Sequence, residues 1–264
     1  TMGIGGEPTK YGNVAKMKSN GVELSLNTVN IKTKDFTWTT DFIYSHMHNE
    51  VTELNTYNRL YDYISGYGFT MPGYPQRSLF SIPFAGLNNE GLPTFYDPDG
   101  NITVTGIDMQ EYDPERLKFL KYEGPADPTD VGSLGNIFRY KNLTLNLFIT
   151  YSFGNVVRLD PVFSSEYSDL SATPKEFNNR WIKPGDEKFT NIPVIASRQQ
   201  LNNLAYLSRA YQSYNYSTAR IAKGDFIRMK EISLAYEFPK TLTQPLHLSN
   251  LSLKLQATNL FLLY

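Results

Sequence analysis

The stretch from Phe226 to Phe261, FIRMKEISLAYEFPKTLTQPLHLSNLSLKLQATNLF, constrains this chain most. From Ile232 the apolar residues take every second position: Ile232, Leu234, Tyr236, Phe238. Ser233, Ala235 and Glu237 lie between them. After Pro239 and Pro245 the pattern resumes with Leu251, Leu253, Leu255, Ala257 and Phe261, interleaved with Ser252, Lys254, Gln256 and Thr258. Alternation of this kind makes strands with one apolar and one polar face. The apolar face must then be covered by a packed core or by lipid.

The same period recurs upstream. Gly21 to Asn27 sets Val22, Leu24 and Leu26 against Glu23, Ser25 and Asn27. Asp35 to Ser45 sets Phe36, Trp38, Phe42 and Tyr44 against Thr37, Thr39 and Asp41, so residues 30–34 read as a tight hairpin connection. Arg139 to Phe153 reads as one further strand, with Leu143, Leu145, Leu147, Ile149, Tyr151 and Phe153 on one face and Phe148 as the misfit. Between these runs lie long stretches without a period: 49–77, 104–135 and 154–225. Two short candidate strands (78–85 and 92–96) follow the first; the others contain a helical turn at 114–121 and helical spacing of Leu201, Leu204, Ala205 and Ser208 within 197–211.

Short turns joining some strands and loops of tens of residues joining others is the pattern of a transmembrane barrel. Loops that long are rare in compact soluble domains and usually functional. The clearest runs also approach the 9–11 residues a tilted strand needs to cross a bilayer. Aromatic residues close several runs where interfacial girdles would lie. The rows Leu143, Leu145, Leu147, Ile149 and Ile232, Leu234, Tyr236 are therefore read as lipid-facing. A soluble, secreted β-sandwich that binds glycans, with the same rows as its core, is the alternative.

Composition agrees with both. Charged residues are 19% of the chain, below the roughly 25% usual in soluble domains, while 19 Tyr and 16 Phe supply aromatic surface. The net charge of −1, with no basic block, excludes a nucleic-acid footprint. The absence of cysteine removes disulfides, thiolate metal sites and cysteine nucleophiles. No apolar run is long enough for a transmembrane helix. The opening TMGIGGEPTKYGN has neither a basic nor an apolar leader region, which reads as a cytosolic protein or as a start inside a longer sequence.

Four collinear segments carry a family resemblance: NVAKMKSNGVELSLN with DFTWTTDFIYSHMHNEVTEL, GSLGNIFRYKNLTLNLFITYSFGN, NRWIKPGDE, and GDFIRMKEISLAYEFP with LSLKLQATNLF. They resemble SusC/RagA-type TonB-dependent outer-membrane transporters. The resemblance implies an all-β fold: an antiparallel transmembrane β-barrel segment, about eight to ten strands of a 22-stranded barrel. Residues 1–264 would be its C-terminal fragment, with long extracellular loops containing short helical turns. The plug domain, signal peptide and closing strands would be absent from the sequence. It further implies uptake of oligosaccharide or peptide across the outer membrane of a Gram-negative bacterium. The partners would be a SusD-like surface lipoprotein, TonB acting through the N-terminal region, and outer-membrane lipid. No cofactor is implied.

Residues that could carry chemistry are few. Arg180-Trp181 is the most suggestive binding element, since Trp faces stack on sugars and Arg caps carboxylates or hydroxyls. Tyr211, Tyr214 and Tyr216 offer a similar surface. In the competing reading, Trp181 packs its loop onto the barrel rim. The segment Asp97-Pro98-Asp99-Gly100-Asn101 superficially resembles a calcium loop, but Ile102 and Asp108 stand where an EF-hand needs Gly and Glu, so a hairpin turn is expected. His46 and His48 share a strand face without a third ligand. Asp108, Glu111, Asp113 and Glu115 read as solvated loop charge rather than a glycosidase pair. No metal site and no enzyme activity are expected.

Overall fold

The computed structural model describes residues 15–54, 56, 58–66, 68–163 and 174–264; the opening TMGIGGEPTKYGN lies outside them. The chain begins with strands β1 (Ala15–Lys32) and β2 (Phe36–Leu54). Then come helix α1 (Leu60–Ile64) and strands β3 (Ser78–Ser81), β4 (Phe84–Leu87), β5 (Pro93–Tyr96) and β6 (Ile102–Thr103). Helix α2 (Pro114–Leu117) precedes β7 (Lys121–Pro125), β8 (Asp130–Tyr140), β9 (Leu143–Phe153) and β10 (Val156–Arg158). Helices α3 (Arg198–Asn203) and α4 (Leu207–Asn215), strands β11 (Ile221–Lys223) and β12 (Phe226–Glu237), helix α5 (Lys240–Thr243) and β13 (Ser252–Leu262) complete it. The residues divide into two units. One, the wall, comprises 20–48, 125–157 and 222–264; the other, the loop body, is built mainly from 49–124 and 158–221.

The wall is a six-stranded sheet in the order β1-β2-β8-β9-β12-β13. The pairs β2–β8, β8–β9, β9–β12 and β12–β13 are antiparallel. The apolar rows run straight across it: Phe138 faces Leu145, Leu145 faces Leu234, and Leu234 faces Leu255. The neighbouring row on the opposite face reads Arg139, Thr144, Ala235, Lys254. Each strand alternates, so in-register pairing sums the strand patterns into one apolar and one polar face. From Leu143 to Phe153 the strand runs about 33 Å, which at a 35–45° tilt gives roughly the 25 Å of a barrel's apolar band. Stacked Trp38 and Phe138, with Tyr236 against Phe238, mark one end; Tyr151, Phe153 and Tyr264 mark the other.

Three expectations change. First, Arg139 to Phe153 is not one strand: the chain turns at Lys141-Asn142, where Lys141 has φ 50°, and the preceding β8 is a full strand that begins at Asp130. Its alternation is broken by Gly132, Gly135 and the Asn136-Ile137 pair, which sets Asn136 opposite Leu147 and Ile137 opposite Asn146. Gly132 makes room for a large neighbour: a Cβ there would lie 2.3 Å from the Tyr151 hydroxyl. Phe148, opposite Gly135, faces the polar side. Second, the described wall holds six long strands rather than eight to ten, the remaining strands being short and sorted into small separate sheets. Third, 197–211 is not one helix: α3 stops at Asn203 and α4 starts at Leu207, placing Leu207, Ala210, Tyr211 and Tyr214 on the buried side.

The expected β1–β2 hairpin forms, but it turns at 33–35 rather than 30–34, because residues 30–32 continue β1. A register shift at Lys230 explains why apolar parity in β12 switches from Ile227 and Met229 to Ile232 and Leu234. Opposite it, Asn259 takes φ 51°, a conformation that Asn tolerates better than most residues, and Lys230 donates to its side-chain oxygen at 2.9 Å. The Asn-Leu-Phe motif therefore encodes a β-bulge.

Candidate functional site

The stretches without a period fold into a body with its own core. Leu60, Ile64, Ile82, Phe95, Ile107 and Tyr214 are among the residues of its larger cluster; Leu92, Ala196, Leu207 and Tyr211 form a second. Its two main chain segments interlock. Ile82 bridges in parallel to Ser217, the Ile107 N–H donates to the Ser213 hydroxyl at 3.0 Å, and Arg158 donates to the Phe80 carbonyl at 2.6 Å. Arg220 is buried and held by Glu176 at 2.6 Å and by the Asp160 carbonyl.

This burial decides what the candidate aromatic residues do. Trp181 is 8% exposed, Tyr211 3% and Tyr214 1%. Trp181 covers Gly91, whose φ is +75° and whose hypothetical Cβ would lie 2.4 Å from the indole. Its Nε1 donates to Glu187 at 3.1 Å, and Glu187 also accepts the Gly185 N–H at 2.8 Å. These bonds, with that to its own backbone N–H first, hold the Glu187 carboxyl below its ordinary range. Asp186 takes the N–H groups of Ile182 and Lys183. RWIKPGDE is thus a self-capped turn that seats Trp181.

The Tyr211 hydroxyl donates to the Val194 carbonyl, and Tyr214 sits under Phe84 and Arg220. Burial pushes Tyr214 up to about 12; burial and then the bond to Tyr61 push Tyr216 up to about 12. Tyr216 lies edge-on to Tyr61 and beneath Arg158, whose pKa burial lowers to about 10. Arg180 is half-buried over the Phe177 ring. The rings of Trp181, Tyr211 and Tyr214 are buried in packing, the competing reading given above for Trp181. The structure brings Tyr211, Tyr214 and Tyr216 together around α4, with Arg180 and Trp181 on a separate turn.

A polar cleft lies elsewhere in this body. It encloses about 220 Å³ and is lined by Asp97, Thr103, Thr105, Asp108, Arg116 and Arg209, with Glu111 at its side and Leu60, Pro98 and Ile107 as apolar floor. Three pieces of chain build it. Asp97 closes the β5–β6 turn, its Oδ1 accepting the N–H groups of Asp99 and Asn101, which bears out the hairpin reading of that segment. Gly106, at φ +72°, lets the following loop lie directly on α4; a Cβ there would be 2.6 Å from the Ala210 nitrogen. Asp113 then caps α2, which presents Arg116 to Glu111 at 2.9 Å. The N–H of Asp113, followed by those of Tyr112 and the Arg116 side chain, lowers the Glu111 pKa. Asp108 was legible as part of an acidic loop, but Asp97 and Arg209 were not linked to it, because only the fold brings them together.

His46 pairs with Asp130 at 2.8 Å, and among the described residues no group of three or more metal-ligating side chains forms. Among them, too, no helix is long and apolar enough to cross a membrane.

An antiparallel sheet, apolar along one face and polar along the other, with tight turns at 33–35 and 141–142 and long insertions after β2 and β9, belongs to the class of β-barrel walls. Relatives make the likeness specific. TonB-dependent receptor P39 of Formosa agariphila is 25% identical over 292 residues, covering 95% of this chain and 27% of the relative. TonB-dependent receptor SusC of Bacteroides thetaiotaomicron is 27% identical over 240 residues, covering 86% and 21%. The solved structure of the RagAB peptide transporter superposes with a TM-score of 0.68 at 22% identity, covering 97% of this chain and 27% of that one. No family profile matches the chain. The chain is similar along nearly its whole length to TonB-dependent receptors of the SusC/RagA type, as its motifs indicate, and it spans about a quarter of the length of the relatives it matches.

Proposed function

We propose that this chain is part of the C-terminal barrel wall of an outer-membrane, TonB-dependent nutrient importer, with the loop body exposed outside the cell. The apolar rows face lipid and the polar face lines the lumen. A SusD-like lipoprotein covers the mouth, TonB supplies energy through a plug encoded upstream, and the cargo is a peptide or an oligosaccharide. The residues of this chain perform no covalent chemistry in that role: they form the wall and shape the approach to it.

The observation that carries this reading is the uncovered apolar face. Leu253 and Leu255 are 56% and 63% exposed, and the buried hydrophobic residues all come from the loop body. A soluble sandwich would bury such rows against a second sheet, and in water a bare face of this kind invites aggregation. Lipid is the natural cover. The test uses the complete receptor. It should fractionate with the outer membrane and migrate differently on a denaturing gel before and after boiling. Recovery from the soluble fraction, with identical migration, refutes the proposal. Deleting the gene should also abolish uptake of at least one peptide or oligosaccharide; unchanged uptake of all such nutrients refutes the importer role.

A further inference from the structure

We infer that the cleft between the β5–β6 turn and α4 is a binding site for a peptide end, with Asp97 and Asp108 receiving an amino group and Arg209 a carboxylate. This deepens the importer reading, on which the choice of cargo rests, by separating peptide from glycan.

The charges of the cleft sort into spent and unspent. Arg116 and Glu111 neutralise each other at 2.9 Å, and Arg116 also lies 3.8 Å from Asp99. Asp97 and Asp108 each commit one carboxylate oxygen, Oδ1, to backbone N–H groups, which fixes the side chains; the other oxygen has no hydrogen-bond partner among the described residues. Arg209 forms no ion pair or side-chain hydrogen bond among the described residues. Two fixed acceptors and one five-donor fork thus share one concave space. Thr103 and Thr105, joined to each other at 2.8 Å, stand between as neutral polar groups.

Opposite unspent charges favour a ligand that carries both signs. A guanidinium matches a carboxylate bidentately, and a pair of carboxylates suits an ammonium. A glycan would be expected to stack on an aromatic face, and no aromatic residue lines this cleft. The volume is that of about seven waters, so the cleft holds one or two residues rather than a long chain. Gly106 and the Ile107–Ser213 bond fix the loop that carries Asp108 against the helix that carries Arg209, so the two backbones are held in register.

The experiment is calorimetric titration of the complete receptor with the dipeptide Lys-Ala, its N-acetylated and C-amidated form, and maltotriose. Lys-Ala should bind. Asp108→Asn, which keeps the shape, and Arg209→Gln, which removes the guanidinium, are both at exposed positions and should each weaken it at least about tenfold, and the blocked dipeptide should lose as much. No binding of Lys-Ala, or binding unchanged in both variants, overturns the proposal. So does maltotriose binding that the same two variants weaken, which would make the cleft a glycan site. The importer reading is judged separately by uptake on gene deletion: loss of uptake with no Lys-Ala binding rejects the cleft alone, whereas unchanged uptake rejects the importer.

Discussion

Leu60 and Leu255 are the same side chain in two settings. Leu60, in the loop body, is fully shut away from solvent, while Leu255, on β13, stands 63% exposed. The contrast extends to the regions around them. The loop body has short irregular elements and a closed core that includes Phe95, Ile82 and Tyr214. The wall has regular strands of up to 19 residues, yet its buried side chains are small polar ones such as Ser152 and Ser233. Regularity and burial are decoupled. The body is stabilised by removing apolar surface from water. The wall relies on its backbone ladder and on whatever covers its apolar face.

Substitutions test that contrast, and all are to be measured in the full-length protein. The largest effect is expected from Phe95→Ala, which empties a fully buried site in the body and should cost about 3–5 kcal/mol in denaturant unfolding of that region. Leu145→Arg on the apolar row should cost about 2–4 kcal/mol near the bilayer midplane, and Thr144→Arg on the polar face much less. Equal costs would mean that the rows do not face lipid. Gly91→Ala drives a methyl into the Trp181 ring at a positive φ, and should cost about 1–3 kcal/mol and shift indole fluorescence.

Alkaline pH should act on the body rather than the wall's apolar rows. Tyr214 and Tyr216 have folded pKa values raised from 10 to about 12, so their contribution is fully present below pH 10 and is lost as pH rises through 12. Arg158, lowered to about 10 from 12.5, opposes this, since its burial penalty fades over the same range. Tyr214→Phe should flatten the decline measured by unfolding at pH 9 and 11.5. The smallest effect belongs to Lys118→Ala, which breaks an exposed ion pair with Glu115 and should change stability by less than about 0.5 kcal/mol.

The wall was mostly readable in advance because its rule is local: alternate residues share a face. That rule located β1, β2, β9, β12 and β13. It missed β8 because Gly132 and Gly135 present no side chain and the Asn136-Ile137 pair reverses the faces, with Asn136 opposite Leu147 and Ile137 opposite Asn146. The turn at Lys141-Asn142 was hidden because it has no glycine to announce it, Lys141 itself taking the left-handed conformation. The body could not be read, since its helices of four to nine residues are too short to display a period and its core joins positions more than 100 residues apart. Aromatic residues that invite a binding role in the sequence, Trp181 and Tyr214 above all, are where that core needs bulk.

The two insertions that make up the loop body leave the wall at different strands but complete each other's secondary structure and hydrogen bonds. Ile82 with Ser217, Ile107 with Ser213 and Phe80 with Arg158 each join one insertion to the other. They are therefore a single unit of inheritance. A chimaera that takes 49–124 from a relative while keeping 158–221 leaves donors, acceptors and half of a core without their counterparts. Diversification of this part of the protein must proceed by paired exchange or by coordinated drift in both segments.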